Sequence, residues 1–145
     1  MADALAYAKK YDPDLVIDVA TLTGSAIRAL GLKAAAVMGT APQKVIDQIK
    51  DAGMNTWERL VQFPLWDDYD EDLKSDIADS RNLGPTPYAD VMIAGKFLQK
   101  FTDYPWMHID IAGPAFLPAA NGYLPKGGSG FGVNLLYHFI KDLKI

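Results

Sequence analysis

The sequence predicts an α/β fold in which a layered sheet is flanked by helices. Three apolar segments are typical of strands, at residues 15–20, 33–39 and 106–113. Helical patterns separate these segments, and strands that alternate with helices indicate a layered α/β arrangement. The chain has 145 residues, half of them hydrophobic, which suits one domain built around one hydrophobic core.

The first predicted helix covers residues 1–11. We expect it to end near Tyr11, because Asp12 precedes Pro13 and the residue before a proline avoids the helical region. No Ser, Thr, Asp or Asn stands before its first turn as a cap. We therefore expect the chain to be cut from something longer.

Glycine and proline set the expected limits of the next two helices. The short helix after the first strand is predicted to stop at Gly31, which suits a C-cap. Pro42 is predicted to be the first residue of the following helix, and Gly53 is predicted to close it. The first strand itself, LVIDVA, is apolar except for one acid, Asp18.

The second half of the chain continues the alternation. Residues 59–65 read as a strand with a proline stop, and residues 89–101 and 131–145 read as helices. Ser129 is the predicted N-cap of the closing helix. Helical spacing would scatter the carboxylates of Asp67–Asp72 over a solvated face.

Composition excludes several classes of protein. Fourteen Lys and Arg against 18 Asp and Glu give a net charge of -4, which argues against general nucleic-acid binding. The absence of cysteine removes disulfides, thiolate metal sites and cysteine nucleophiles. The apolar runs fall far short of the roughly 20 residues that a membrane-spanning helix needs.

His108 and Asp110 are the first candidates for chemistry. Side chains two residues apart on a strand point to one face of the sheet, so these two could begin a metal site. The favoured interpretation is that they are partners in a hydrogen-bond network at the strand end. Neither an HExxH motif nor a cluster of His and carboxylates at ligand spacing is present.

The segment KGGSGFG, residues 126–132, looks superficially like a phosphate loop before a helix. The Walker pattern is not present, because the lysine precedes the glycines, and the GxGxxG pattern is absent as well. A flexible turn is the favoured interpretation, and an anion-binding domain that uses Gly127–Gly132 remains an alternative.

The segment ATLTG, residues 20–24, lies where the first strand ends and a helix begins. At such a strand end the Leu22 carbonyl and the Gly24 amide could bind an extended peptide through main-chain hydrogen bonds. A tight turn in which Thr23 caps the helix explains the residues equally well. Spacing alone leaves both interpretations open.

The order and spacing of six segments resemble the catalytic domain of the leucyl aminopeptidases, the two-metal cytosolic aminopeptidases of the M17 class. The segments are ADALAYA, DLVIDVATLTGSAIRALG, FPLWDDYDEDLKSDIADSRN, AGKFLQKF, WMHIDIAGPA and KGGSGFGVNLL. Together they extend over nearly the whole chain, and the combination of ATLTG, SDIAD, HIDIAG and GFGV is highly specific.

The resemblance implies which parts of the site are present. In that family the hallmark NTDAEGR, which supplies metal-binding carboxylates and a catalytic arginine, lies immediately before the ADAL helix. The other metal ligands and the catalytic lysine lie further upstream. Residues 1–145 are thus expected to form a partial catalytic domain that lacks the upstream metal-binding segment. No catalytic or metal-binding residue is expected in this chain.

The resemblance also implies a substrate-binding role for five positions. Thr21, Ala112 and Ala115 fall at walls of the pocket for the first side chain of the substrate, and Leu22 and Gly24 offer the backbone groups that bind the peptide. The parent is expected to be a cytoplasmic hexamer with two divalent ions, zinc or manganese. A non-catalytic α/β module kept for assembly is the alternative from another functional class.

Overall fold

A computed structural model describes residues 1–143, and it shows the α/β fold predicted from the sequence. The helices and strands of the described residues follow in this order: α1 Ala2–Ala8, β1 Val16–Ala20, α2 Gly24–Leu30, β2 Ala35–Gly39, α3 Gln43–Thr56, β3 Leu60–Gln62, α4 Asp90–Gln99, β4 Trp106–Asp110, β5 Phe116–Leu117, β6 Gly127–Gly128 and α5 Val133–Asp142. Two 3₁₀ segments, Lys9–Tyr11 and Asp67–Leu73, connect them.

The main sheet has four strands in the order β1-β4-β2-β3. β1 pairs with β4 in parallel, with Asp18 opposite His108 and Ala20 opposite Asp110. β4 pairs with β2 in antiparallel fashion, and β2 pairs with β3 in parallel. β1 and β4 therefore end at the same edge of the sheet, and the loops that follow them are neighbours.

Helices cover both faces of this sheet, as the predicted layers require. On one face α3 and α5 pack on Val37 and Ile109. On the other face α2 and α4 pack near Met38. A methyl group at Gly95 of α4 would lie 2.2 Å from the Met38 sulfur, so α4 approaches β2 closely only because this residue is glycine. No helix within residues 1–143 has the length and apolar character needed to cross a membrane.

The predicted ends of the first three helices are correct in two cases. α1 continues as a 3₁₀ turn to Tyr11, and Gly31 is the C-cap of α2. The prediction that Gly53 closes α3 is wrong, because that helix runs to Thr56. A methyl group at Gly53 would lie 2.7 Å from the Glu58 carbonyl oxygen. This glycine therefore makes room for the returning chain instead of ending the helix.

The prediction that Ser129 caps the last helix is also wrong. The cap is Gly132, and Ser129 instead joins two loops. Its hydroxyl donates to the Pro114 carbonyl at 2.5 Å and accepts from the Phe131 amide at 3.1 Å. The closing helix predicted for residues 131–145 is seen as α5, and residues 144 and 145 of that prediction lie outside the described residues.

The acidic segment 67–72 forms ion pairs with the buried Lys96 that the sequence did not predict. Asp67 is almost fully exposed, as predicted, yet its carboxylate lies 3.1 Å from the buried Lys96 ammonium, and Asp70 lies 2.9 Å from it. Burial of Lys96 lowers the pKa of its ammonium, but these two carboxylates outweigh that effect and raise it above the ordinary value. The ion pairs fasten the 3₁₀ segment to α4.

Candidate functional site

The Asp110 carboxylate joins the two loops at the shared edge of β1 and β4. Its Oδ1 accepts from the Leu22 amide at 3.0 Å and from the Ala112 amide at 3.1 Å. Its Oδ2 accepts from the Thr23 amide at 3.0 Å and from the Thr23 hydroxyl at 2.6 Å. The side chain is 1% exposed, so these four bonds replace its water shell.

Thr23 is the N-cap of α2, which confirms the tight-turn interpretation of ATLTG. Its hydroxyl oxygen accepts from the Ala26 amide at 3.1 Å while its proton is donated to Asp110. The backbone at Thr23 is extended, as an N-cap requires. One buried hydroxyl thus couples the start of the helix to the end of β4.

The predicted docking groups lie next to this cap. Leu22 is 37% exposed and borders a cavity of about 310 Å³ that Asp3, Asn82 and Phe97 also line. Gly24 is the first residue of α2, so its amide has no hydrogen-bond acceptor within its own helix. Thr21 is exposed and precedes Leu22 directly, but it does not line the cavity.

Ala112 and Ala115 lie in the loop after β4. Both are half-buried, and the Ala115 amide donates to the Ile111 carbonyl at 3.0 Å, which closes a turn. A methyl group at Gly113 would lie 2.1 Å from the Gly31 carbonyl oxygen, so this loop packs directly against the end of α2. The structure therefore brings Leu22 and Ala112 onto one carboxylate oxygen, while Ala112 and Ala115 stay outside the cavity that Leu22 borders.

His108 and Asp110 belong to hydrogen-bond networks, but not as partners of each other. The His108 Nδ1 lies 2.5 Å from an oxygen of Asp18, whose other oxygen accepts from the Trp106 indole at 2.6 Å. His108 is fully buried, and among the described residues its Nε2 has no hydrogen-bond partner. Sequence reasoning missed this trio, although a single acid within an apolar strand was the signal that could have found it.

The donor atoms of the described residues do not fit a two-metal site. Among residues 1–143 no group of three or more His, Asp or Glu side chains converges closely enough to hold an ion. The four protein donors on Asp110 and the two on Asp18 already take up these carboxylates. No chemical step through a metal can therefore be assigned to these residues.

The glycine-rich segment 126–132 offers few free amides to an anion. Gly127 and Gly128 form β6 against β5, and the Ser129 amide donates to the Ala115 carbonyl at 3.0 Å. In the first turn of α5 the Leu135 amide donates to the Glu58 carboxylate at 2.6 Å. A carboxylate of the chain itself thus lies where an anion would bind at this helix end.

A sequence profile of the cytosol aminopeptidase family, catalytic domain, matches residues 1–137. The chain belongs to the cytosol aminopeptidase family. This confirms the resemblance on which the expectations for the site rest. The match includes both loops that meet at Asp110, so the family assignment and the candidate site concern the same part of the fold.

Bacterial relatives named "Probable cytosol aminopeptidase" align over almost the full chain. The protein of Chlorobium phaeobacteroides is 48% identical over 144 residues, and that of Syntrophotalea carbinolica is 47% identical over 143. The protein of Chlorobaculum tepidum is 49% identical over 144 residues. These alignments include 97%, 98% and 97% of this chain, respectively. The chain spans 28% of the length of each of these members of the cytosol aminopeptidase family.

Proposed function

We propose that this chain is part of a two-metal aminopeptidase that removes N-terminal residues from peptides. Its part is to bind the peptide backbone through the Leu22 carbonyl and the Gly24 amide. Thr21, Ala112 and Ala115 form walls of the pocket for the first side chain. The observation that carries the proposal is the Asp110 carboxylate, which fixes the backbone of both loops at one edge of the sheet.

The position of the docking groups supports this role. Parallel strands that end side by side present their loops to a common crevice, where ligands of α/β proteins bind. Leu22 is partly exposed beside a cavity, and the Gly24 amide has no acceptor within α2. Backbone groups of this kind can bind any peptide, and in the proposal the small side chains of Thr21, Ala112 and Ala115 leave space for the first side chain of the substrate.

In this proposal the two divalent ions, zinc or manganese, bind to the remaining part of the protein. The ions would activate the attacking water and polarise the scissile carbonyl. The described residues offer no converging group of carboxylates for them. In this proposal the chain alone is inactive, and its five site residues bind and orient the substrate.

We further propose that the assembled protein is a homo-oligomer, a hexamer by likeness to the family, and that it works in the cytoplasm. The name shared by the relatives supports the location. β1 is an edge strand of the main sheet, and Val19 on it is 36% exposed. An edge strand with an apolar side chain is a surface that further protein can cover.

A chimera tests the proposal. This chain replaces the matching 28% of the Chlorobaculum tepidum relative, and leucine anilide hydrolysis is measured with added Mn²⁺ or Zn²⁺. We expect metal-dependent turnover from the chimera and none from this chain alone. The control is the relative with its matching segment deleted, which should be inactive. Turnover by the purified chain alone, or a folded chimera without turnover, would contradict the proposal.

A further inference from the structure

We infer that Asp110 is a positioning residue that sets the direction of the peptide-docking carbonyl of Leu22. The inference rests on the proposed function, because it assigns to Asp110 the orientation of a group that the proposal places against substrate. Asp110 itself is 1% exposed and is not a catalytic residue, since it contacts only the chain's own donors.

The peptide bond between Leu22 and Thr23 is planar and trans. The carbonyl of Leu22 and the amide of Thr23 belong to one peptide plane and point in opposite directions, because residues 1–143 contain no cis peptide bond. The Thr23 amide points at Asp110 Oδ2. The Leu22 carbonyl therefore points away from Asp110.

Two hydrogen bonds to Asp110 fix the direction of the Leu22 carbonyl. The Leu22 amide on the preceding peptide plane donates to Asp110 Oδ1, so both planes on either side of the Leu22 α-carbon are bound to one carboxylate. Rotation of either plane would break a hydrogen bond of a buried acceptor. The loop thus has one backbone conformation, and a rigid docking group loses little entropy when a peptide binds.

Position 110 needs a side chain that accepts hydrogen bonds at two atoms. All four partners of Asp110 are donors, three backbone amides and the Thr23 hydroxyl, so the side chain must accept at both oxygens. An asparagine has one accepting oxygen and one donating NH₂ group, which would meet at least one amide donor head-on. Asp110→Asn changes almost no volume but removes half of the accepting capacity.

Asp110 also links the loop after β4 to the loop after β1. The Ala112 amide shares Asp110 Oδ1 with the Leu22 amide, so one atom sets the distance between the docking loop and the loop that carries Ala112 and Ala115. A loss of this atom's accepting role would loosen both loops together. Residues elsewhere on the sheet, such as the Asp18 carboxylate with Trp106 and His108, have no direct contact of this kind with the loops.

Amide hydrogen exchange of the 145-residue chain tests the positioning itself. In Asp110→Asn we expect the Leu22, Thr23 and Ala112 amides to exchange about tenfold faster or more. The Ile111 amide, which donates to the Ala20 carbonyl at 2.8 Å, should change much less. Asp18→Asn is the matched control, an acid of the same sheet whose side chain is 10% exposed, and it should leave the loop amides as they are relative to Ile111. Equal acceleration of all four amides in Asp110→Asn would overturn the inference.

Kinetics of the chimera test the link to substrate. Leucine anilide has no peptide backbone beyond the scissile bond, whereas Leu-Gly-Gly has two further residues that can bind to the docking groups. In Asp110→Asn we expect kcat/KM to fall about tenfold further for Leu-Gly-Gly than for the anilide, mainly through KM. Asp18→Asn should lower both by one common factor, as a loss of folded protein does. A common factor for Asp110→Asn as well would overturn the inference.

A second pair of variants covers the case in which Asp110→Asn does not fold. Thr23→Val removes one of the four donors, while Thr23→Ser retains the hydroxyl. Thr23→Val should also lower kcat/KM more for Leu-Gly-Gly than for the anilide, but by a smaller factor than Asp110→Asn does. Thr23→Ser should match the wild type. Equal behaviour of the two variants would overturn the inference. A wild-type chimera that hydrolyses neither substrate would instead contradict the proposed function. The hydrogen-exchange experiment would still decide whether Asp110 orders the loops.

Discussion

Asp18 and His108 face each other across the parallel pair β1 and β4, with 2.5 Å between a carboxylate oxygen and the ring Nδ1. Both side chains lie on the face of the sheet that α2 and α4 cover, and His108 is fully buried. The pair fastens the edge strand to its neighbour by side chains as well as by the backbone. Its contribution is to the stability of the folded chain.

His108→Ala should lower the free energy of unfolding by about 3 kcal/mol, because it opens a cavity and leaves an Asp18 oxygen without its partner. Urea unfolding of the chain followed by circular dichroism measures the change. His138→Ala is the control: this residue is exposed, and its replacement should cost less than about 0.5 kcal/mol. Equal stability of the two variants would contradict the structural role of His108.

Stability should depend on the charge of Lys96 at high pH. The Asp67 and Asp70 carboxylates raise the pKa of this ammonium in the folded chain, after the opposing effect of its burial. The folded state thus binds the proton more tightly than the unfolded state. The stabilisation is complete below the ordinary lysine pKa of 10.5 and is lost as the pH rises through the raised value.

The comparison of wild type with Lys96→Met isolates this contribution, because all other groups titrate alike in both. The difference in unfolding free energy between the two should be constant from pH 7 to about pH 10 and should shrink above it. A difference that stays constant up to pH 11.5 would mean that the ion pairs with Asp67 and Asp70 add no stability.

Gly95→Ala should destabilise the chain although alanine favours helices. Its methyl group would lie 2.2 Å from the Met38 sulfur and 2.9 Å from a Leu65 methyl carbon, and such overpacking costs about 1–3 kcal/mol. Gly24→Ala is the matched control, since its nearest neighbour is the Arg28 side chain at 3.4 Å. Thermal unfolding should show a lower Tm for Gly95→Ala and a nearly unchanged one for Gly24→Ala.

Ala115→Trp should narrow the substrate range of the chimera if residue 115 forms a pocket wall. The indole would fill space that a large first side chain needs, so kcat/KM for leucine and phenylalanine anilides should fall about tenfold more than for alanine anilide. A panel of aminoacyl anilides measures this. One common factor for all substrates would show that position 115 is not a wall.

The chain on its own should self-associate or bind an apolar dye. β1 is an edge strand, and several large apolar side chains are exposed, among them Trp57 at 71% and Trp66 at 61%. Light scattering and dye fluorescence test this, with Val19→Lys on β1 as the variant that should reduce association. A dye-silent monomer would favour an independent module.

Sequence reasoning found the fold because the main strands are apolar runs and the helices have apolar residues at helical spacing. Tertiary contacts did not override these local preferences. It found the Gly31 end and offered the Thr23 cap as one of two interpretations, since both features depend on neighbours in the chain. It misplaced Gly53 and Ser129, whose roles depend on Glu58 and Pro114. Only the folded backbone brings these partners into contact.

At the candidate site, too, sequence reasoning found features that depend on nearby residues and missed those that depend on distant ones. The two loops could be named from their residues, but the four donors on Asp110 could not, because three of them come from Leu22 and Thr23 at the far end of the sequence. The Asp18 partnership with Trp106 and His108 was hidden in the same way. An acid in a strand end signals a buried acceptor without saying which donors it will meet.

The Leu22 amide and its acceptor on Asp110 are 88 residues apart in sequence, which sets an order of events during synthesis. The ATLTG segment leaves the ribosome long before β4 exists, so at that stage the Thr23 hydroxyl lacks the hydrogen bond that it donates to Asp110 in the folded chain. Contacts of this separation form late, because the intervening chain must close a long loop first. The loop at Leu22 and Thr23 is therefore among the last parts of the chain to become ordered, and in a nascent chain that stops before residue 110 it has no fixed conformation.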